Sequence, residues 1–177
     1  MPMSLTIRRV SSATLDPDVR AAVWALCDAA YQADTSSYFR DIGPGEHLLG
    51  LHNGVLVSHL MWVTRRLQPG ESPPLRTAYV EMVATAPDAQ GRGYASALLE
   101  YFVPQVGDYQ LAALSPATPH LYARLGWTFW RGPLTVRYEG RIVPTPEERV
   151  MILPLPLTTI LNLDLPLSIE WRPGEVW

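Results

Sequence analysis

The spacing of apolar and polar positions changes several times along the chain. Val19, Ala22, Val23, Leu26, Cys27 and Ala30 recur at helical intervals, which predicts an amphipathic helix running roughly to Ala33. Asp16-Pro17-Asp18 marks its start, with an aspartate N-cap, a proline at the first helical position and an acid where the helix dipole favours one. From Asp34 to Glu46 the pattern turns irregular and polar, through Thr35, Ser36, Ser37 and Gly43-Pro44-Gly45, and reads as a substrate-side loop. Two β-rich runs, Leu48 to Leu51 and Val55 to Val63, then flank Asn53-Gly54, a pair suited to positive φ and hence to a two-residue hairpin turn.

Ala78 to Thr85 reads as a further strand and Pro87 to Gly93 as a loop. Ala95, Leu98, Leu99 and Phe102 mark the buried face of a helix from Tyr94. Tyr109 to Leu114 predicts another strand, and Thr118-Pro119 the cap of a short helix that Gly126 ends. A βαβα unit joined to antiparallel hairpins defines an α/β chain with a single mixed, mostly antiparallel central sheet flanked by helices. Six prolines after Gly140 (Pro144, Pro146, Pro154, Pro156, Pro166, Pro173) argue for edge strands and extended segments in the tail. With no repeat or linker, residues 1–177 read as one domain.

Candidate chemistry starts at Gln90-Gly91-Arg92-Gly93-Tyr94-Ala95, between a strand and an amphipathic helix. Small residues let backbone N–H groups converge, and a helix N-terminus adds partial positive charge, which together suit a pyrophosphate. A Walker loop needs Gly-Lys-Ser/Thr, but Tyr94 follows Gly93; a dinucleotide fingerprint needs a third glycine where Ser96 stands. What remains is Gln-x-x-Gly-x-Ala.

Composition narrows the partners. Of 177 residues, 47% are hydrophobic and 18% charged, a globular balance. The formal charge of -3 and the lack of a dense basic run argue against nucleic acid. No stretch approaches the length of a membrane span, so no membrane is expected. Cys27 alone forms no internal disulfide, and the start Met-Pro-Met-Ser-Leu-Thr-Ile-Arg-Arg lacks a signal peptide's apolar core, so a cytoplasmic location is expected. Cys27 sits on the buried stripe and reads as a packing residue. His47, His52, His59 and His120 show no metal-ligand spacing and read as structural, so no metal is expected.

The glycine loop resembles the Arg/Gln-x-x-Gly-x-Gly/Ala loop of the GCN5-related N-acetyltransferase superfamily, which grips the pyrophosphate of acetyl-CoA. Tyr79-Val80-Glu81-Met82-Val83-Ala84-Thr85 looks like that superfamily's central strand, and Leu121-Tyr122-Ala123-Arg124-Leu125-Gly126-Trp127 like its following helix. The end of the sequence, Glu170-Trp171-Arg172-Pro173-Gly174-Glu175-Val176-Trp177, resembles the Trp-Arg-x-Gly-Asp-Val-Trp terminus of the aminoglycoside 2'-N-acetyltransferase family. Arg65-Arg66-Leu67, Ala113-Leu114-Ser115 and Thr145-Pro146 followed by acids echo the same family.

The resemblance implies acetyl-CoA as cosubstrate, held by Met82, Val83, Thr85 and the loop Gln90, Gly91, Arg92, Gly93, Tyr94 and Ala95. It implies a small cationic amino sugar as acceptor, held at Asp34, Ser115 through its backbone, Glu147 or Glu148, Glu175 and Trp177, with Asp41 a candidate for a second loop acid. A homodimer and an antibiotic-resistance role are expected with it. Glutamates replace family aspartates near the tail and after Thr-Pro, and the loop after Asp34 differs in length, which points to a smaller, less cationic acceptor such as kasugamycin.

The mechanism needs a neutral amine, since an ammonium has no lone pair. Glu81, mid-strand in an apolar run, is the candidate base, acting through water as the family implies; an ion pair with Arg65 or Arg66 is the rival reading. Tyr122 matches the superfamily tyrosine that protonates the departing thiolate, and a backbone N–H near Val83 is the candidate oxyanion donor. The competing functions are an acetyltransferase of the same fold for another small amine or polyamine, an inactive binding module, and a structural interaction protein.

Overall fold

A computed structural model describes residues 5–177. The first four residues, part of the stretch read above for a signal peptide, lie outside it. The described residues group into two compact units, one comprising those up to Val63 with Val80–Gln105, the other Thr64–Tyr79 with Val106–Trp177.

The first unit opens with β1 (Leu5–Ser11) and α1 (Pro17–Tyr31). The Asp16 carboxylate caps α1 by accepting the N–H groups of Asp18 and Val19 at 2.9 and 3.4 Å. The helix stops two residues short of the expected Ala33 because Gln32 turns left-handed, with φ 54°. The loop expected from Asp34 to Glu46 is corrected by a second helix, α2 (Ser36–Ile42). Polar residues that read as loop formers instead anchor this helix: Asp28 accepts both the N–H and the hydroxyl of Thr35 at 2.7 Å, and Asp34 accepts the N–H of Ser36 at 2.9 Å.

β2 (Glu46–His52) and β3 (Val55–Pro69) form the predicted hairpin, with Asn53 and Gly54 at φ 51° and 79°. The pairing slips by one residue between Gly50 and Leu51, so Leu49 lies opposite His59 and His47 opposite Met61. β4 (Leu75–Thr85) follows, and α3 (Tyr94–Gln105) starts where the periodicity predicts. Tyr94, rather than Ala95, joins Leu98, Leu99 and Phe102 on its buried face. Because strand side chains alternate, His59 meets Cys27 of α1 and Phe39 of α2 on one face, while Trp62 meets Phe102 of α3 on the other.

The second unit takes the first part of β4 and the last part of β3. It adds β5 (Leu111–Leu114), α4 (Pro119–Ala123), β6 (Thr128–Phe129), β7 (Leu134–Tyr138), β8 (Arg141–Pro144), β9 (Met151–Leu153) and β10 (Leu167–Glu170). Its strand order is β6-β9-β5-β4-β3-β10-β7-β8. β4–β5 and β10–β7 are parallel, whereas β10–β3, β5–β9, β6–β9 and β7–β8 are antiparallel, so the mixed sheet is as expected. The tail corrects one expectation: two of its strands, β9 and β10, lie inside the strand order, and β8 stands at one end of it. Pro154 follows β9 and Pro166 precedes β10, so neither enters those strands, while Pro144 is the last residue of β8, where an edge tolerates it.

Thr118 stands at the N-cap of α4 but makes no side-chain cap bond there. Gly126, at φ 89°, ends the turn, and the Trp127 N–H returns to the Tyr122 carbonyl at 3.2 Å. Among the described residues no helix is long and apolar enough to cross a membrane.

Candidate active site

The glycine loop lies in the first unit and is braced by its own side chains. Gln90 Nε2 donates to the Thr85 carbonyl at 3.3 Å, and Arg92 Nη2 to the Asp88 carbonyl at 3.2 Å. Gly91 and Gly93 have φ 74° and 81°, and a Cβ placed on either meets nothing within 4 Å. The space over the loop is therefore open, while any L side chain there is conformationally strained. The start of α3 at Tyr94 supplies first-turn N–H groups beside that space. Room, donors and partial positive charge at one place fit a diphosphate.

β4 carries the second feature. Met82 has φ 51°, a left-handed conformation in mid-strand, which costs about 1–3 kcal/mol and persists only where neighbours enforce it. Thr77 through Val80 are all buried, and beyond them the strand alternates, with Met82 and Ala84 buried and Glu81, Val83 and Thr85 half-exposed. Three successive carbonyls after Glu81 each accept a side-chain bond: Met82 O from His59 Nδ1 at 2.8 Å, Val83 O from the Tyr31 hydroxyl at 2.8 Å, and Ala84 O from Ser58 Oγ at 2.9 Å. Ser58 Oγ also lies 3.0 Å from Thr85 Oγ1.

His59 belongs to a buried series. Its Nε2 is 2.9 Å from His47 Nδ1, and His47 Nε2 is 2.8 Å from Ser12 Oγ. Burial pushes the His59 imidazolium down to about 3, helped by His47, and lowers His47 as well. Cys27 Sγ sits 3.8 Å from His59 Nδ1, and burial pushes its thiol up to about 12, so it stays protonated, as a packing residue should.

In the second unit, Tyr122 is buried with its ring edge-on to Trp127 at 6.1 Å. Burial pushes its phenol up to about 12, which keeps the hydroxyl protonated at neutral pH. The expected acceptor residues of this unit are gathered by local bonds. Ser115 Oγ donates to the Arg149 carbonyl at 3.2 Å, Trp177 Nε1 to Thr145 Oγ1 at 2.9 Å, and the Glu148 N–H to the Thr145 carbonyl at 3.1 Å. Glu148 is half-buried and its carboxyl is raised by burial first and by Glu175 second, whereas Glu147 is exposed. Asp34, exposed, and Asp41, in α2, belong to the first unit. Asp34 is held below its usual range chiefly by its hydrogen bonds to Ser36.

Arg65, read above as a rival partner of Glu81, is 4% exposed and uses its guanidinium on the tail. Nε donates to Glu170 Oε1 at 2.8 Å, Nη2 to the Glu170 carbonyl at 2.6 Å and Nη1 to the Val176 carbonyl at 2.9 Å. Glu170 Oε2 also accepts the Arg66 N–H at 2.9 Å. Sequence reasoning missed this latch, the series from Ser12 to Met82 and the Tyr31 bond. Arg65 in an apolar strand was the available signal for the first.

The chain belongs to the GNAT acetyltransferase family: the Acetyltransferase (GNAT) domain matches residues 7–130. An aminoglycoside 2'-N-acetyltransferase of Mycolicibacterium fortuitum is 35% identical over 182 residues, covering 97% of this chain and 92% of that protein. The fold is shared with the GNAT family N-acetyltransferase YhbS of Escherichia coli, solved in complex with CoA, at TM-score 0.63 and 14% identity over 95% of this chain and 91% of that one. Eis1 of Mycobacterium abscessus matches 75% of this chain at TM-score 0.62 and 16% identity, and the match spans 33% of Eis1.

Proposed function

We infer that the chain is an acetyl-CoA-dependent N-acetyltransferase acting on the 2'-amine of an aminoglycoside-type antibiotic, with residues 1–177 working as one acetyltransferase domain. The observation that carries this reading is the 35% identity to an aminoglycoside 2'-N-acetyltransferase, spread over 97% of the chain. Acetyl-CoA as donor is supported by the open glycine loop ahead of α3 and by the kinked strand beside it.

Bound, the cosubstrate supplies an acetyl thioester. Gly91, Gly93 and the first turn of α3 hold its diphosphate by main-chain N–H groups. Glu81 takes a proton from the acceptor ammonium through water, which frees the nitrogen lone pair to form the new C–N bond. The Val83 N–H stabilises charge on the carbonyl oxygen. As the C–S bond breaks, the Tyr122 hydroxyl gives its proton to the leaving sulfur, a role supported by its burial, and the second proton shed by the acylated nitrogen passes through water to restore the phenol. Asp34, Asp41, Ser115, Glu148, Glu175 and Trp177 bind the acceptor. Glu148 is preferred to Glu147 because it is half-buried and close enough to Glu175 to feel its charge.

The amide product has lost one positive charge, which weakens binding to any anionic target and gives a physical basis for resistance. The glutamates in place of family aspartates support kasugamycin as the first acceptor to try. A cytoplasmic location is supported by the lone cysteine, and a homodimer by the exposed Ile142 and Val143 on the edge strand β8.

The test is purified protein with acetyl-CoA, a thiol-detecting dye, and gentamicin, kanamycin, kasugamycin and spermidine in parallel. Thiol release with an amino sugar is expected. Release with spermidine alone contradicts the acceptor class, and binding of coenzyme A without release marks an inactive module.

A further inference from the structure

Two imidazoles with no part in the chemistry above connect Ser12 to the kink in β4, and the direction of every bond between them is determined. A carbonyl only accepts, so the 2.8 Å contact to Met82 O requires the His59 proton on Nδ1. Nε2 of His59 is then a bare acceptor, and its 2.9 Å contact requires the His47 proton on Nδ1 as well. Nε2 of His47 accepts in turn from the Ser12 hydroxyl at 2.8 Å, and Ser12 Oγ accepts the Gly45 N–H at 3.0 Å. The series begins at a main-chain donor, ends at a main-chain acceptor, and gives each donor an acceptor with both imidazoles neutral. The Cys27 sulfur, at 3.8 Å from His59 Nδ1, is a second and longer contact beside the 2.8 Å bond to Met82.

What the series ends on is the unusual part. Met82 is a buried non-glycine residue at φ 51°, between the candidate base Glu81 and the candidate oxyanion donor Val83. A left-handed backbone at a buried non-glycine residue persists only where neighbours hold it, and the bond from His59 to the Met82 carbonyl is one such hold.

We propose that Ser12, His47 and His59 form a tautomer-locked positioning relay that fixes the left-handed kink at Met82, and with it the direction of the backbone groups from Glu81 to Val83, for acetyl transfer. The proposal rests on the acetyltransferase reading above. None of the three touches the reacting atoms; His59 acts through Met82, and His47 and Ser12 act by leaving His59 a single tautomer. Burial of both rings, His59 at 0% exposed and His47 at 4%, leaves water no access to offer an alternative partner.

Two measurements test it. Nitrogen-15 NMR of histidine-labelled wild-type protein is expected to show His47 and His59 as neutral Nδ1–H tautomers; an Nε2–H tautomer at His59 overturns the relay without any variant or substrate. The second is a pair of substitutions assayed well below their melting temperatures. His59→Leu removes the donor to Met82, and kcat is expected to fall by about a hundredfold with KM for the amine little changed. His59→Asn keeps a donor at the Nδ1 position while losing the link to His47, and is expected to recover most of that kcat. A merely structural histidine predicts Asn no better than Leu, and that result, or wild-type kcat in both, overturns the proposal. The substrate reading fails separately, by a wild-type enzyme that acetylates no amino sugar, and the NMR tautomers are read without substrate.

Discussion

Arg65 Nη1 donates to the Val176 carbonyl at 2.9 Å, tying a buried position on β3 to the residue before Trp177. The same guanidinium holds Glu170 through Nε and Nη2, so one side chain sets the path of the tail that carries Glu175. Arg65→Met leaves these acceptors without their donor. KM for the amino sugar is expected to rise by about tenfold or more, the equivalent of one hydrogen bond to a charged group. Affinity for coenzyme A should stay unchanged. Arg65→Lys restores little, because one ammonium cannot serve three acceptors in a planar fork. Steady-state kinetics with calorimetry of coenzyme A separates the two effects.

Glu81→Gln removes the proposed base while keeping the shape of the strand. Turnover is expected to fall by about a hundredfold at neutral pH. It recovers in part at alkaline pH, where the amine deprotonates unaided. A full pH–rate profile is the check, and a profile superimposable on the wild type removes Glu81 from the mechanism.

Gly93→Glu places a strained, negatively charged side chain where φ is 81° and the space is open. Calorimetry is expected to show the heat of coenzyme A binding lost in this variant and present in the wild type, with the melting temperature lowered only modestly.

Acid stability follows from the buried imidazoles. His59 takes its proton near 6.5 when unfolded but only near 3 when folded. Between those values the unfolded chain binds more protons than the folded one, so stability is lost as pH falls through that window. Each such proton contributes a slope of about 1.4 kcal/mol per pH unit, and the lowered His47 adds to it in the same direction. Denaturant titrations across the window are expected to show a shallower slope for His59→Asn than for wild type.

Much of the fold was legible because it is written in local signals. Asp16-Pro17-Asp18, Asn53-Gly54 and the loop before Tyr94 each mark a boundary that the structure keeps. The histidine relay was not, for a reason of register. A plain two-residue hairpin at Asn53-Gly54 sets His47 opposite Leu60, which puts it on the other face from His59. The slip at Gly50 and Leu51 moves His47 opposite Met61 and brings both rings to one face. The helix at Ser36 was hidden in the same way, since Thr35 needed a carboxylate seven positions earlier to anchor it. The tail's resemblance to the aminoglycoside 2'-N-acetyltransferases singled out Ser115, Glu148, Glu175 and Trp177. The structure ties Trp177 to Thr145 and Ser115 to Arg149, and brings Glu175 within reach of Glu148. The arginine that holds the tail was not legible in that role, because its bonds span more than a hundred residues.

The most direct measurement is the position of the acetyl group on the product. Wild-type protein is incubated with acetyl-CoA and the amino sugar that releases most thiol, and the product is solved by mass spectrometry and NMR. A single added acetyl on the 2'-nitrogen is predicted. An acetyl on any other nitrogen, on oxygen, or on none of the sugars contradicts the assignment.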